Sequence, residues 1–163
     1  MWIDDQILRE AKKPFTLECW IPDKDMVVLG SSNDAAKEVN LENCKRDGVD
    51  VLKRYGGGGT VVLYPGCVIL SLGLWVKDYF RNDYYFDQLG STLIETLAKR
   101  WPIFGESRIS GISDLTWRDR KYCGSSLFRS RNYLMFQASL ICHLDIEIVE
   151  NYLRHPTREP EYR

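Results

Sequence analysis

Histidine is scarce: only His143 and His155 occur in 163 residues, and neither has a partner at metal-ligand spacing, so no protein-held transition metal is expected. Paired cysteines are missing as well. Cys19, Cys44, Cys67, Cys123 and Cys142 are odd in number, widely spaced and without a Cys-x-x-Cys pair. No signal peptide precedes them, which predicts a reducing, cytoplasmic setting rather than a disulfide framework. Excess positive charge is also lacking: Lys and Arg number 22 against 23 Asp and Glu, for a formal net charge of -1. A nucleic-acid binder is usually basic, so no nucleic-acid partner is expected and any cationic site must be local. Long apolar runs are absent too, because the run from Val61 to Val76 is too short to span a bilayer and is broken by Pro65-Gly66. There is no repeat, low-complexity tract or linker. What remains is an ordinary globular composition, 44% hydrophobic and 28% charged, at the length of a single domain.

The stretch that organises the chain is KRYGGGGTVVLYPGCVILSLGLWV, from Lys53 to Val76. A short apolar run, Val49 to Leu52, ends in the cations Lys53 and Arg54. Four glycines follow, Gly56 to Gly59, and then two β-branched runs, Thr60 to Leu63 and Cys67 to Trp75. This reads as strand, tight loop, then two buried strands joined by a turn, both central in a sheet. Upstream, Ile3, Ile7, Leu8 and Ala11 recur at helical spacing before Pro14, predicting a helix over 4–12. Thr16 to Trp20 and Met26 to Gly30 read as a hairpin turning at Pro22-Asp23. A brief helix from Leu41 to Arg46 has Asn40 placed as its N-cap and Gly48 at its end. Downstream, Phe86, Leu89, Leu93, Ile94 and Leu97 form one helical stripe closed by Pro102. Ile109 to Trp117, Lys121 to Leu127 and Tyr133 to Cys142 read as three strands, with turns at Arg118-Asp119-Arg120 and Arg131-Asn132. A last helix begins at a capping Asp145, with Leu144 placed to pack on Val149. The result is one α+β domain over residues 1–163, with helices against a mixed, largely antiparallel β-sheet.

Two stretches carry chemistry. Glycines without a Cβ let another group approach bare N–H donors, and the cations at the mouth of the loop suit a phosphate or carboxylate. The loop lacks the Gly-Lys-Ser/Thr ending of a P-loop and the dinucleotide fingerprint, so a plain hairpin turn stands beside the anion-site reading. The second stretch is DLTWRDRKYCGSS, Asp114 to Ser126. Lys121 on a strand can point its ammonium into a cleft, with Gly124 permitting close approach, although most lysines are solvated surface charges. Cys123 could serve as a nucleophile or as a small buried hydrophobe, and it has no histidine near it in sequence.

Together these stretches resemble the lipoate-protein ligase family, within the wider lipoate/biotin protein ligase superfamily. The family's basic pair, two small residues, three glycines, variable residue and valine are similar to Lys53-Arg54, Tyr55-Gly56, Gly57-Gly58-Gly59, Thr60 and Val61. Its Asn-Asp-Leu followed by a hairpin and Lys-x-x-Gly-Ser is similar to Ser113-Asp114-Leu115 and Lys121-Tyr122-Cys123-Gly124-Ser125. The strand pair LECWIPDKDMVVLGSSN and the helix LDIEIVENYL extend the likeness along nearly the whole chain. The family's His-Asp after the glycines is Leu63-Tyr64 here, and its His-Gly-Thr is Gln137-Ala138-Ser139. The family's usual N-terminal strand and C-terminal segment have no counterpart in these residues.

The resemblance implies a fold of the class II synthetase and biotin-ligase kind and a two-step reaction. ATP, with Mg²⁺, activates lipoate or octanoate to an acyl-adenylate, which then modifies a lysine on the lipoyl domain of a 2-oxoacid dehydrogenase E2 or on the glycine-cleavage H protein. It implies that Lys121 is catalytic, contacting acyl carbonyl and phosphate. Lys53, Arg54, Gly57, Gly58, Gly59, Thr60 and Val61, with Ser113, Asp114, Gly124, Ser125, Gln137 and Ser139, would bind the acyl-adenylate. Asp114 would orient the nucleotide or Mg²⁺, and Val61 and Ile69 would line the acyl tunnel. Two alternatives accompany it: an octanoyl-carrier-dependent transferase using Cys123, and a non-catalytic or partial acyl- or lipoyl-domain-binding module completed by a second chain.

Overall fold

The computed structural model describes residues 3–4, 7–8, 13–77 and 81–154. The helix expected over 4–12 lies largely outside them, with residues 7–8 helical. In chain order the elements are β1 (Phe15–Trp20), β2 (Met26–Leu29), α1 (Ala35–Glu38), α2 (Leu41–Asp47), β3 (Asp50–Lys53), β4 (Val61–Leu63) and β5 (Cys67–Trp75). Then come α3 (Asn82–Arg100), a 3-10 turn (Pro102–Glu106), β6 (Arg108–Ser110), β7 (Asp114–Trp117), β8 (Arg120–Ser130), β9 (Tyr133–Ile141) and α4 (Ile146–Tyr152). The α+β class and the largely antiparallel pairing are as the sequence predicts.

The strands form two sheets, not one. The larger has the order β1-β5-β9-β8-β7-β6 and is antiparallel throughout. The smaller has the order β3-β2-β4, with β2 parallel to β3 and antiparallel to β4. The hairpin expected from Thr16 to Gly30 is therefore corrected: β1 pairs with β5, and the chain crosses to the small sheet at Pro22. The pair expected across Pro65-Gly66 is corrected in the same way, since β4 is an edge of the small sheet while β5 is interior to the large one. The strand expected over Ile109 to Trp117 is two, β6 and β7, reversed at Gly111 in the left-handed region (φ 61°).

Burial explains the split. All of β2 (MVVL) is buried, as a strand covered on both faces must be. Around it Val62, Leu63, Tyr64, Ile69 and Tyr152 form one core. The second core lies between the large sheet and α3, where Leu115, Cys123, Leu134 and Phe136 meet Phe86, Leu89, Leu93 and Ile94. A glycine inside α3 costs about 0.5–1 kcal/mol of helix stability. Gly90 lets the helix pack closely on the sheet: a Cβ there would lie 3.0 Å from Ile109 Cδ1, which would have to give by a few tenths of an ångström.

The caps divide. Asp145 caps α4 through Ile148 N–H, as expected, and Gly48 ends α2 in the left-handed region. Asn40 makes no side-chain cap; its backbone N–H donates to Tyr152 O instead. Leu144 remains 58% exposed rather than folded down as a staple. Tyr64 joins the crossing between sheets to α4: its hydroxyl donates to His143 O (2.8 Å) and accepts from Asp145 N–H (3.1 Å).

Candidate active site

A cavity of about 130 Å³ opens at the junction of the two sheets. The small sheet contributes Val28, Val61 and Leu63, and the large sheet contributes Trp20, Ile69 and Ala138, which together make an apolar end. The polar wall comes from the glycine loop and from the facing ends of β7, β8 and β9. Of the residues singled out from the sequence, Lys121, Arg54, Gly58, Gly59, Thr60, Val61, Ser113, Asp114, Gly124, Ser125, Gln137 and Ser139 all line this cavity. Ile69 lines it too.

Two do not. Lys53 is the last residue of β3, paired with Leu29, and neighbouring residues of an extended chain point to opposite sides, so Arg54 turns inward and Lys53 does not. Gly57 sits on the outer bend of the loop, where a Cβ would meet nothing within 4 Å. Both leave the group that surrounds the cavity.

Lys121 and Gly124 raise a geometric problem. Residues three apart in a regular strand face opposite sides, yet a Cβ on Gly124 would sit 2.9 Å from Lys121 Nζ. The register between β7 and β8 resolves it: Leu115 faces Cys123, Thr116 faces Lys121, and Tyr122 is the extra residue of a bulge. The bulge brings Lys121 round to the face of Asp114 and Gly124, while Leu115 and Cys123 keep to the α3 side. There Lys121 Nζ lies 2.8 Å from Asp114 Oδ1, with the two side chains 20% and 6% exposed. An ammonium so enclosed has lost most of its water and acts on any neighbouring charge more strongly than in solvent.

The glycine loop is held from beneath. Arg54, 8% exposed, donates from Nη2 to Gly57 O (2.8 Å) and Gly59 O (2.7 Å) and from Nη1 to Val28 O (3.3 Å). With its carbonyls drawn to the guanidinium, the loop's N–H groups are left to face other partners. Burial pushes the Arg54 guanidinium below its ordinary range, opposed by the charges of Asp4 and Glu38. Gly58 takes φ 95°, a left-handed conformation suited to glycine. Glu38 fixes the loop's exit, accepting from Thr60 Oγ1 (2.5 Å) and Asn33 Nδ2 (2.6 Å). Gln137 Nε2 donates to the buried Asp4 (2.6 Å), whose other oxygen accepts from Tyr55 N–H (2.7 Å).

Ser126, Trp20, Val28 and the supports Glu38 and Asn33 escape a reading of the motifs. Trp20 and Val28 are legible only as strand residues, because nothing local says that two separate sheets will meet over them. Cys123 is fully buried and its thiol is pushed by burial up to about 12. It lies in the core on the α3 side of the sheet and is not among the residues that line the cavity.

A family model of the lipoyl protein ligase A/B catalytic domain matches residues 1–163. The chain belongs to that family. Among lipoyl ligase relatives, the lipoate-protein ligase A of Blochmanniella floridana is 27% identical over 164 residues, covering 96% of this chain and 45% of that protein. The inactive lipoate-protein ligase 2 of Plasmodium falciparum is 26% identical over 180 residues, covering 90% and 46%. This chain thus spans less than half the length of these two relatives. Among solved structures, a chain from the bi-partite lipoate protein ligase and E2 lipoyl domain system of Thermoplasma acidophilum superposes with a TM-score of 0.82 at 20% identity, covering 94% of this chain and 60% of that one. That likeness establishes the shared lipoate-ligase fold.

Proposed function

We propose that this lipoyl ligase domain activates lipoate or octanoate with ATP and passes the acyl group to a lysine on a partner protein. The observation that carries the reading is the convergence, in one cavity with an apolar end, of the Lys121 ammonium and a glycine loop whose carbonyls are turned away toward Arg54. In the first step a carboxylate oxygen of the acid attacks the α-phosphorus of ATP, the new O–P bond forms and pyrophosphate leaves. In the second the acceptor amine attacks the acyl carbon, loses a proton, and the bond to AMP breaks. Negative charge builds on phosphate oxygens first and on the carbonyl oxygen second. Lys121 is positioned to meet both, and preorganised donors of this kind act without reorganising during the reaction.

The N–H groups of Gly58, Gly59 and Thr60 hold the phosphate, with Ser139 and Gln137 as further polar contacts. Arg54 serves by shaping the loop. Trp20, Val28, Leu63 and Ile69 hold the alkyl chain. Mg²⁺ usually binds through one or two carboxylates together with substrate phosphates. No group of three or more His, Cys, Asp or Glu among the described residues could hold a metal alone, so Asp114 beside ATP's phosphates is the arrangement that fits. When bound, the ion neutralises phosphate charge. The five free cysteines favour a reducing, cytoplasmic setting.

The acceptor we favour is the lipoyl domain of a 2-oxoacid dehydrogenase E2, with the glycine-cleavage H protein as the second. A specific observation supports another reading, a module that works with a second chain: the fold matches a chain of a bi-partite lipoate protein ligase system, and one matched relative is an inactive ligase. The test is to incubate the purified chain with a lipoyl domain, lipoate or octanoate, and ATP, and to weigh the acceptor. Acylation only with ATP supports the ligase, and Lys121→Ala should then slow it by about 100-fold or more, as for loss of an oxyanion donor. Binding without acylation, restored by a partner chain, supports the module. Full activity of Lys121→Ala overturns the catalytic assignment.

A further inference from the structure

The hairpin that carries Lys121 bends under strain. Trp117 faces Arg120, so Arg118 and Asp119 alone make the turn, with φ 48° and 61°. A two-residue turn with both φ values positive suits glycine, asparagine or aspartate, and arginine is out of place in it. Arg118 is compensated in part by lying over the Trp117 ring, 4.5 Å from its centroid. A bend of three residues, Arg118 to Arg120, would relieve the strain. At unchanged chain length it would set Lys121 opposite Trp117 and Tyr122 opposite Thr116, and the bulge would vanish. Side chains alternate along a regular strand, so the ammonium would leave the face it shares with Asp114 and Gly124. Two registers of one sequence compete, and one of them empties the cavity of its amine.

The bulged register is held from the far side of the sheet. Cys123 is fully buried in the core beneath α3, and its neighbour Tyr122 packs against the same core. Adjacent residues of a regular strand point to opposite faces, so this shared side is the bulge as the side chains express it. The Tyr122 ring lies 5.1 Å from that of Phe104, tilted by 53°, and Phe104 meets Trp101 edge-on at 6.4 Å. Phe104 is fixed in turn: its N–H donates to Trp101 O and its C=O accepts from Ser107 N–H, both at 3.0 Å. The ring is the anchor and the hydroxyl is not, since the buried hydroxyls of Tyr122 and Ser107 have no hydrogen-bond partner. The ion pair with Asp114 favours the same register, but Lys121 must turn from it to meet phosphate and carbonyl oxygens. The ring contact is independent of that exchange.

We infer that Tyr122 is a positioning residue: its ring, seated against Phe104, holds β8 in the bulged register and so keeps the Lys121 ammonium in the cavity. The consequence for acylation rests on the function proposed above, in which Lys121 is catalytic. The consequence for register does not. In the unbulged register the Tyr122 ring would face the cavity and abandon Phe104.

The test is NMR of the cross-strand contacts between β7 and β8, beside ATP-dependent acylation of a lipoyl domain, for wild type, Tyr122→Ala, Tyr122→Phe and Phe104→Ala. Thr116 should face Lys121 in the wild type and in Tyr122→Phe, which keeps the ring and loses only an unpartnered hydroxyl. In Tyr122→Ala and Phe104→Ala the contacts of Thr116 should move, wholly or in part, to residue 122. The maximal rate should fall by about tenfold or more, with half-saturating ATP and lipoate changed by less than about threefold. A merely structural role would lower the unfolding temperature of both variants and leave register and rate alone. Phe104→Ala leaves β8 untouched and decides the matter if Tyr122→Ala does not fold. Wild-type register in the ring-deleted variants overturns the inference, as does a Tyr122→Phe protein that slips. A shifted register with acylation unchanged supports the positioning and overturns instead the catalytic part given to Lys121.

Discussion

Gly30→Ala tests the glycine loop from a position outside it. Gly30 follows β2, and a Cβ there would lie 2.2 Å from Gly58 O and 3.2 Å from Gly58 C. The obstacle is backbone, so no side chain can swing aside, and Gly58 must retreat by about 1 Å to reach ordinary contact. Its neighbours supply the carbonyls at 2.8 and 2.7 Å from Arg54 Nη2, and a shift of that size takes both out of hydrogen-bond range. Overpacking of this kind costs about 1–3 kcal/mol of stability, and a 1 Å misplacement of binding groups costs about 100-fold in rate. The assay is single-turnover acylation of a lipoyl domain, read beside thermal unfolding. Gly57→Ala is the matched control: its Cβ meets nothing within 4 Å, and its rate should stay within about twofold of wild type. A Gly30→Ala protein that acylates at the wild-type rate, or a Gly57→Ala protein damaged as severely, refutes the claim that the loop is positioned by Arg54 from beneath.

Gly124→Ala should separate catalysis from stability. Its Cβ would meet Lys121 Nζ at 2.9 Å and Cε at 3.1 Å, the flexible end of a side chain, so thermal unfolding should barely move while the displaced ammonium slows acylation by about tenfold or more. Tyr64→Phe should do the reverse. It strips His143 O and Asp145 N–H of their shared partner, lowering stability in urea by about 1–3 kcal/mol with the acylation rate unchanged. Cys123 gives a pH signature. Its thiol stands at about 12 in the fold against an ordinary 9.0, so as pH rises through that window the unfolded chain loses its proton first and is favoured. Stability should fall there by on the order of 4 kcal/mol from this group. Urea unfolding at neutral and alkaline pH should show a smaller fall for Cys123→Ala, and equal falls would count against the burial account.

Local signals were legible where one stretch of chain decides the outcome. The α3 stripe, the Asp145 cap, the Gly48 stop and the long strands of the large sheet all appear close to where periodicity and turn residues put them. Partnership was not legible. FTLECW alternates and MVVL does not, a difference in burial that separates β1 from β2, but Pro22-Asp23 between them has the look of a hairpin turn. The same holds across Pro65-Gly66. The site followed this division. Gly58, Gly59 and Lys121 could be named because their motifs are compact, whereas Trp20, Val28 and Ser126 reach the cavity only through the meeting of two sheets. Lys53 suits an anion by charge yet stands outside the cavity lining, because charge says nothing about which side of the chain a residue leaves.

The extra residue between Lys121 and Cys123 makes the amine's orientation a matter of counting rather than of chemistry. Regularising the ladder at unchanged length, with Tyr122 in place of Lys121 opposite Thr116, would send the ammonium toward the α3 side, with lysine, aspartate and glycine all still present in order. A variant could thus keep each signature residue and be silent, and the odd spacing of lysine and glycine becomes the feature to inspect in any relative that retains the motif but not the reaction.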